Sequence, residues 1–399
     1  MQTPNTPPPG PDEFLNRIEK LQIHLREEEL DGALVLQKAD LYFFSGTAQD
    51  AQFYIPADGD PLLMVKKHVD RAAAESPFSV IPLKSTKQIP DFLKENGYRF
   101  PNRLGLELDV LPAALYLNYQ RRFQGTRLVD VSHPIRMVRS VKSDLEIDII
   151  ESAAQMADQV LDGVKDLIRE GMTEIELAGM VEARARKLGH QGLVRMRLWG
   201  GEPFYGHLMA GPSAAEPSYL SSPTGGAGTS PAVPQSAGFN RIQKGTPILV
   251  DYVFAHQGYI SDQTRIFALG HIPDDLKAAH HAMMDIQEML KRAATPGMKA
   301  GELYEMAVRR ADELGYGDWF MGADAQRIRF VGHGVGIELD EYPFIAKGQQ
   351  LPLKKGMVIA LEPKVIMPGR GVVGIENTHV VTDSGLKTLN RFPEDILLI

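Results

Sequence analysis

One 19-residue string occurs twice in this chain, and that repetition constrains the fold more than any other feature. GMTEIELAGMVEARARKLG at 171–189 and GMKAGELYEMAVRRADELG at 297–315 agree at nine of nineteen positions. The identities include the Gly-Met entry and the Leu-Gly exit, and each copy follows a helical stretch and precedes strand-rich sequence. Two amphipathic helices can share composition by chance, but the matched ends favour a duplicated unit. A site between two such halves would draw residues from both. The repeat also measures an insertion. From Gly189 to Asp251 is 62 residues and from Gly315 to Glu362 is 47, so the first half carries 15 more. Ser218–Gly238, rich in Ser, Pro, Gly and Thr, has about that length and reads as a loop, either functional or a solvated insertion.

Upstream of the duplication the pattern changes. Residues 1–11 read as a disordered, polyproline-like tail. From 12 to 143 helical and strand-like segments alternate, which argues for a small α/β domain. Phe14, Ile18, Leu21 and Leu25 share one helical face, and Pro56–Asp60 is a hairpin turn between Gln52–Ile55 and Pro61–Val65. Residues 144–399 then form the duplicated domain, opening on a long helix from Leu145 with Met156, Val160, Val164 and Leu167 on one stripe. Thr173-Glu-Ile-Glu176 has the form of a capping box at the start of the next helix.

Composition narrows the chemistry. The chain has 399 residues, no cysteine and a formal charge of −8. Disulfides, zinc–thiolate sites, iron–sulfur clusters and a cysteine nucleophile are excluded. The charge opposes the basic footprint of a nucleic-acid binder. No apolar run approaches a membrane span, so the chain reads as cytoplasmic, acting without membrane or nucleic acid.

What remains for chemistry is a set of acids in apolar surroundings. Ile248–Phe254 and Tyr259–Arg265 flank a turn; a four-residue loop there pairs residues summing to 513 and sets Asp251 opposite Asp262. In the second half, Val358–Glu362 and Val372–Glu376 flank Pro368-Gly-Arg370, and a sum of 738 sets Glu362 opposite Glu376. Like charges facing each other need a compensating cation or proton. A half-exposed sheet face could explain one such pair; two pairs in duplicated halves argue for a common purpose. Val331-Gly-His333-Gly-Val-Gly336 adds an imidazole among small residues just ahead of the second acidic hairpin. Four carboxylates and one imidazole suit a pair of divalent cations, with Mn²⁺ favoured and Co²⁺, Fe²⁺ or Zn²⁺ admitted. Two such ions can activate water and polarise an acyl or phosphoryl group.

These residues resemble the metal set of the M24 metallopeptidases, the family of methionine aminopeptidase, Xaa-Pro aminopeptidase, prolidase and creatinase. The family order Asp, Asp, His, Glu, Glu is similar to Asp251, Asp262, His333, Glu362 and Glu376. The strings Lys244–Asp251, Gly258–Arg265, Gly332–Gly336 and Leu361-Glu-Pro363 match as well. The first domain resembles the creatinase-type N-terminal domain, including Leu41-Tyr-Phe-Phe-Ser-Gly46. The resemblance implies a duplicated α+β "pita-bread" catalytic domain and a homodimer. It also implies a binuclear hydrolase removing or splitting an N-terminal residue, Xaa-Pro peptides being the best-supported substrate. Glu362 would then bridge the metals and accept a proton from water.

Three departures from the family stand out. Asp340 occupies the place of a histidine seven residues beyond the ligand His, Ser218 replaces the histidine after Gly211-Pro-Ser-Ala-Ala-Glu-Pro217, and Gly374 stands where an Arg is usual. Ionised Asp340 accepts hydrogen bonds but cannot donate to an oxyanion, so it would shuttle a proton or bind a substrate amine. Ser218, His207 and His256 are candidates for replacing the lost substrate contacts, the two histidines otherwise being surface residues. Two alternatives stay open: an enzyme of the same fold acting on a small non-peptide amine or amidine, and a relative that binds metal without catalysis.

Overall fold

The computed structural model describes residues 9–199, 202, 204–323 and 327–399. Most of the proline-rich tail expected at 1–11 lies outside the described residues. Its last residue is already helical: α1 is Pro11–Glu27, with proline in its first turn and Phe14, Ile18, Leu21 and Leu25 buried.

Contacts divide the chain into two units. The first runs to Arg139 and takes in a later segment beginning at Arg197. That segment belongs there because the Arg197 guanidinium pairs with the buried carboxylate of Asp40 and, at 2.7 Å, with Asp109. The elements of this unit continue with β1 (Gly32–Val35), α2 (Lys38–Ser45), β2 (Ala51–Pro56), β3 (Leu62–Val65), α3 (Val69–Glu75) and β4 (Val80–Pro82). After these come α4 (Ile89–Glu95), β5 (Arg103–Leu106), α5 (Ala113–Arg122), β6 (Arg127–Asp130) and α6 (Ser132–Ser140). One mixed sheet of order β4-β3-β2-β1-β5-β6 results, as the alternating pattern predicts. The string Leu41–Gly46 is the body of α2, ended by Gly46 in the left-handed conformation.

The second unit shows the duplication as structure. Its first half holds α7 (Asp144–Val164), α8 (Glu174–Lys187), β7 (Leu208–Ala210), β8 (Ile248–His256) and β9 (Tyr259–Ala268). Its second half holds α9 (Asp274–Ala293), α10 (Ala300–Glu313), β10 (Phe330–Gly334), β11 (Glu341–Ala346), β12 (Val358–Leu361), β13 (Lys364–Met367), β14 (Gly371–Gly374), β15 (Asn377–Thr382) and β16 (Gly385–Thr388). The chain closes with β17 (Leu397–Leu398). The repeated strings are α8 and α10 with their flanking turns, and both capping boxes, at Ser143/Glu146 and Thr173/Glu176, are formed. Each half is an antiparallel sheet against a helix pair: β7-β8-β9, extended by β17, and β10-β12-β15, flanked by β11 and β16. Each has its own apolar core. Met156, Val160, Leu177, Val181, Val250 and Phe254 belong to the first; Met283, Ile286, Leu303, Ile345, Ile359 and Val365 belong to the second. Thr264 and Glu376 join the halves by a backbone bridge.

The two expected hairpin registers fare differently. β13 and β14 pair as Ile366 with Val372, the 738 register, but that ladder ends at Lys364 opposite Gly374. Glu362 instead donates its amide to the Val331 carbonyl, and Glu376 turns to Thr264, so the two acids are not a ladder pair. In the first hairpin His256 pairs with Tyr259, a sum of 515 rather than 513. Asp262 therefore lies opposite Val253, and Asp251 opposite Thr264. The turn is the two residues Gln257-Gly258, both at positive φ, which suits the right-handed twist of the strands. A shift of two leaves every side chain on its expected face, so both aspartates still point the same way.

Candidate metal centre

His333 lies on β10, between β11 and β12, and its glycine neighbours are required by packing. A Cβ on Gly332 would stand 2.4 Å from the Ala360 carbonyl oxygen, and one on Gly334 2.3 Å from that of Tyr342. With small residues on both sides the imidazole reaches the acids of the other strands. Its Nε2 is 3.8 Å from Asp262 Oδ2, 3.9 Å from Glu362 Oε1 and 3.9 Å from Glu376 Oε1. These separations are too long for hydrogen bonds and short enough for donors that share a cation.

The acids are held from behind. Asp262 donates its amide to Thr378 Oγ1 at 2.9 Å, and Thr264 Oγ1 donates to Glu376 Oε2 at 2.7 Å. Arg265, fully buried, donates to the carbonyls of Thr264, Glu376, Phe392 and Pro393 and to Asn377 Oδ1. It thus ties β9 to the strand that follows Glu376 and fixes the two halves at the place where the acids meet.

Asp251, Asp262, Glu362 and Glu376 are all buried. Burial pushes the Asp262 carboxyl well above the usual carboxylate range, and Glu376 and Asp251 push it further. Burial likewise raises Glu362 to about 7, Lys364 opposing, Glu376 adding to the rise and His333 opposing. His333 moves up from its ordinary value: burial works against its charge but is outweighed by Asp340, Glu362 and Glu376. Crowded like charges of this kind call for a cation. Asp262 Oδ1 is buried with no hydrogen-bond partner, and Asp262, His333 and Glu376 offer ligand atoms within 4.8 Å of one another. A carboxylate–imidazole set with an orphaned oxygen fits a divalent metal.

The remaining expected residues divide. Asp340, at φ 63°, sets Oδ1 3.4 Å from His333 Nδ1, so it faces the imidazole. His207 lies beside Asp251, whose amide donates to the His207 carbonyl at 2.8 Å. Its ring is buried, not a surface group, with Nδ1 unpartnered. Burial lowers its pKa to about 3, with Lys364 lowering it further and Glu376 opposing. Ser218 is turned into its own loop, where Oγ donates to the Pro234 carbonyl at 2.5 Å. His256 closes β8 at the hairpin tip, pairing with Tyr259.

The loop at 218–238 meets the site at its neck. Ser236 Oγ accepts from the Leu208 amide and donates to the Gly206 carbonyl, on either side of His207. Glu174, fully buried, fastens both ends: it accepts from the Ala210 amide and Ser213 hydroxyl before the loop and from the Gly238 amide and Asn240 side chain after it.

Sequence reasoning missed Lys364. Its side chain is fully buried, and Nζ lies 2.7 Å from Glu362 Oε2, 2.7 Å from Glu376 Oε2 and 3.3 Å from Asp251 Oδ2. The signal was present, because the 738 register pairs position 364 with Gly374, where the expected arginine is missing.

A duplicated catalytic fold with buried carboxylates and an imidazole at the junction of its halves defines a metallohydrolase of the pita-bread class. The chain belongs to metallopeptidase family M24, which matches residues 148–383, and the creatinase/prolidase N-terminal domain matches residues 17–141. The Xaa-Pro dipeptidase of Pyrococcus furiosus is 29% identical over 384 residues, covering 96% of this chain and 99% of that protein. The prolidase structure from Pyrococcus horikoshii superposes with a TM-score of 0.78 at 26% identity, covering 95% of this chain and 99% of that one. The Xaa-Pro dipeptidase from Bacillus anthracis shares the fold, with a TM-score of 0.83 at 23% identity over 97% of this chain and 100% of that one.

Proposed function

We propose that the chain is a divalent-metal-dependent dipeptidase that splits Xaa-Pro dipeptides. The observation that carries this reading is the convergence of Asp262, His333 and Glu376, with Glu362 beside them, in a buried cluster where the duplicated halves join. A divalent cation held there supplies a Lewis acid and lowers the pKa of water; Mn²⁺ suits so carboxylate-rich a donor set. Glu362, buried beside His333 with its Oε1 3.9 Å from Nε2, is placed to accept the proton of the attacking water and return it to the leaving amine. His207, neutral and with an unpartnered ring nitrogen, is the candidate donor toward substrate beside Asp251. Asp340 acts on His333 and is a positioning residue rather than a second acid–base group. Ser218 serves the loop rather than the substrate. The same reading takes the protein as a cytoplasmic homodimer with a peptide substrate.

The test is kcat/KM of the Mn²⁺-loaded protein on a panel of Xaa-Pro dipeptides, longer Xaa-Pro peptides and small amides or amidines. Cleavage confined to dipeptides is expected. Turnover of the small amides alone would replace this reading with that of a non-peptide hydrolase, and no turnover with metal bound would leave a metal-binding relative.

A further inference from the structure

The cluster of acids already contains a cation. Lys364 rises from the first position of β13, and its ammonium touches one oxygen each of Asp251, Glu362 and Glu376. No solvent reaches the side chain, so the charge is compensated by these carboxylates alone. Room for it comes from across the hairpin. Gly374 is its ladder partner, at φ 154°, and a Cβ there would stand 2.5 Å from the Pro363 carbonyl oxygen and 3.0 Å from Lys364 Cγ. The backbone of Pro363 and Lys364 therefore excludes a side chain at 374 first, and the lysine stem lies over the space left by the glycine.

The ammonium divides the donor set. Asp251 Oδ2, Glu362 Oε2 and Glu376 Oε2 are engaged by Nζ. Asp262 Oδ1 has no partner, and Asp262 Oδ2, Glu376 Oε1 and Glu362 Oε1 face His333 Nε2 at cation-sharing distances.

We propose that Lys364 fills one of the two cation positions expected of this site, so that the chain binds a single divalent ion, held by Asp262, His333 and Glu376. The inference rests on the functional reading only in treating the acids as a cation site, and it revises the expected metal pair. In this arrangement the ammonium sits beside Glu362 permanently, doing the electrostatic work of a second ion without its open coordination positions.

Metal counting on the full chain tests this without substrate. Apoprotein titrated with Mn²⁺, read by free-ion electron paramagnetic resonance and by elemental analysis after desalting, is expected to take up one ion per chain. Lys364→Ala, which opens the space and removes the ammonium from Asp251, Glu362 and Glu376, is expected to take up two. A crystal of the Mn²⁺ form should give one anomalous peak, among Asp262, His333 and Glu376, with Lys364 Nζ still hydrogen-bonded to Glu362 and Glu376. Two ions in the wild type, or none, overturn the proposal. One ion in both proteins overturns the claim that the lysine excludes the second. Should Lys364→Ala fail to fold, the wild-type count and anomalous map decide alone. A protein that binds one ion yet cleaves no Xaa-Pro dipeptide would sink the functional reading and leave this inference standing.

Discussion

Asp340 Oδ1 lies 3.4 Å from Nδ1 of His333, while Nε2 of the same ring faces Asp262, Glu362 and Glu376. Nδ1 also hydrogen-bonds the Gly334 carbonyl at 3.2 Å, and acceptors on one imidazole nitrogen keep its proton there, leave a lone pair on the other and make that nitrogen a better ligand. Asp340, read in the sequence as a proton shuttle or a handle for a substrate amine, faces the ring of His333.

Asp340→Asn tests that role while keeping a residue that tolerates positive φ. Removing such an outer partner weakens metal binding about 10–100-fold. A Mn²⁺ titration should show a loss in that range with the thermal midpoint of the apoprotein little changed. Equal affinity in the two proteins would make Asp340 an ordinary turn carboxylate.

A second expectation concerns acid stability. His379, on β15, is fully buried with both ring nitrogens unpartnered, and burial, with Lys291 and Arg265 adding to it, lowers its pKa to about 3. The unfolded chain thus binds a proton below about pH 6.5 that the native protein refuses. The stability this histidine contributes is complete above that pH and is lost as pH falls toward 3; between pH 8 and pH 5 the loss is about 2 kcal/mol. Urea midpoints measured across that range should fall with acid, and His379→Phe should flatten the slope. An unchanged slope would assign the acid sensitivity elsewhere.

The loop neck gives the third. Glu174→Ala leaves the buried amides of Ala210 and Gly238 without an acceptor and takes one of two from Ser213 and Asn240, at a cost of about 3 kcal/mol. Because Ser236 ties the loop beside His207, the variant should also lose kcat/KM, and limited proteolysis should cut first within 218–238. If cleavage sites and kinetics match the wild type, the neck does not control the site.

Much of this was legible beforehand because it depends on periodicity. The repeat foretold α8 and α10 and the two matching sheets, and strand parity put Asp251 and Asp262 on one face although the turn is two residues shorter than expected. That turn escaped notice because Gln257 adopts positive φ without being the Asn or Asp that usually announces it. The pairing of Glu362 with Glu376 went astray where the hairpin gives up its ladder to other strands, a tertiary choice no local pattern records. Lys364 escapes a local reading because a lysine two residues from an acid ordinarily reads as solvated, and it is the gathering of Asp251, Glu362 and Glu376 around Nζ that holds it inside.

Glu174 closes the neck of the 218–238 loop, and a loop closed at its base by a side chain outside it is an exchangeable cassette. The closure uses one carboxylate, two backbone amides and the side chains of Ser213 and Asn240, and Ser236 inside the loop adds a tie to Leu208 of β7. The first half could thus acquire a longer rim than the second without disturbing the symmetry of the halves beneath it. The clasp thus keeps the frame of the first half separate from the segment that borders His207.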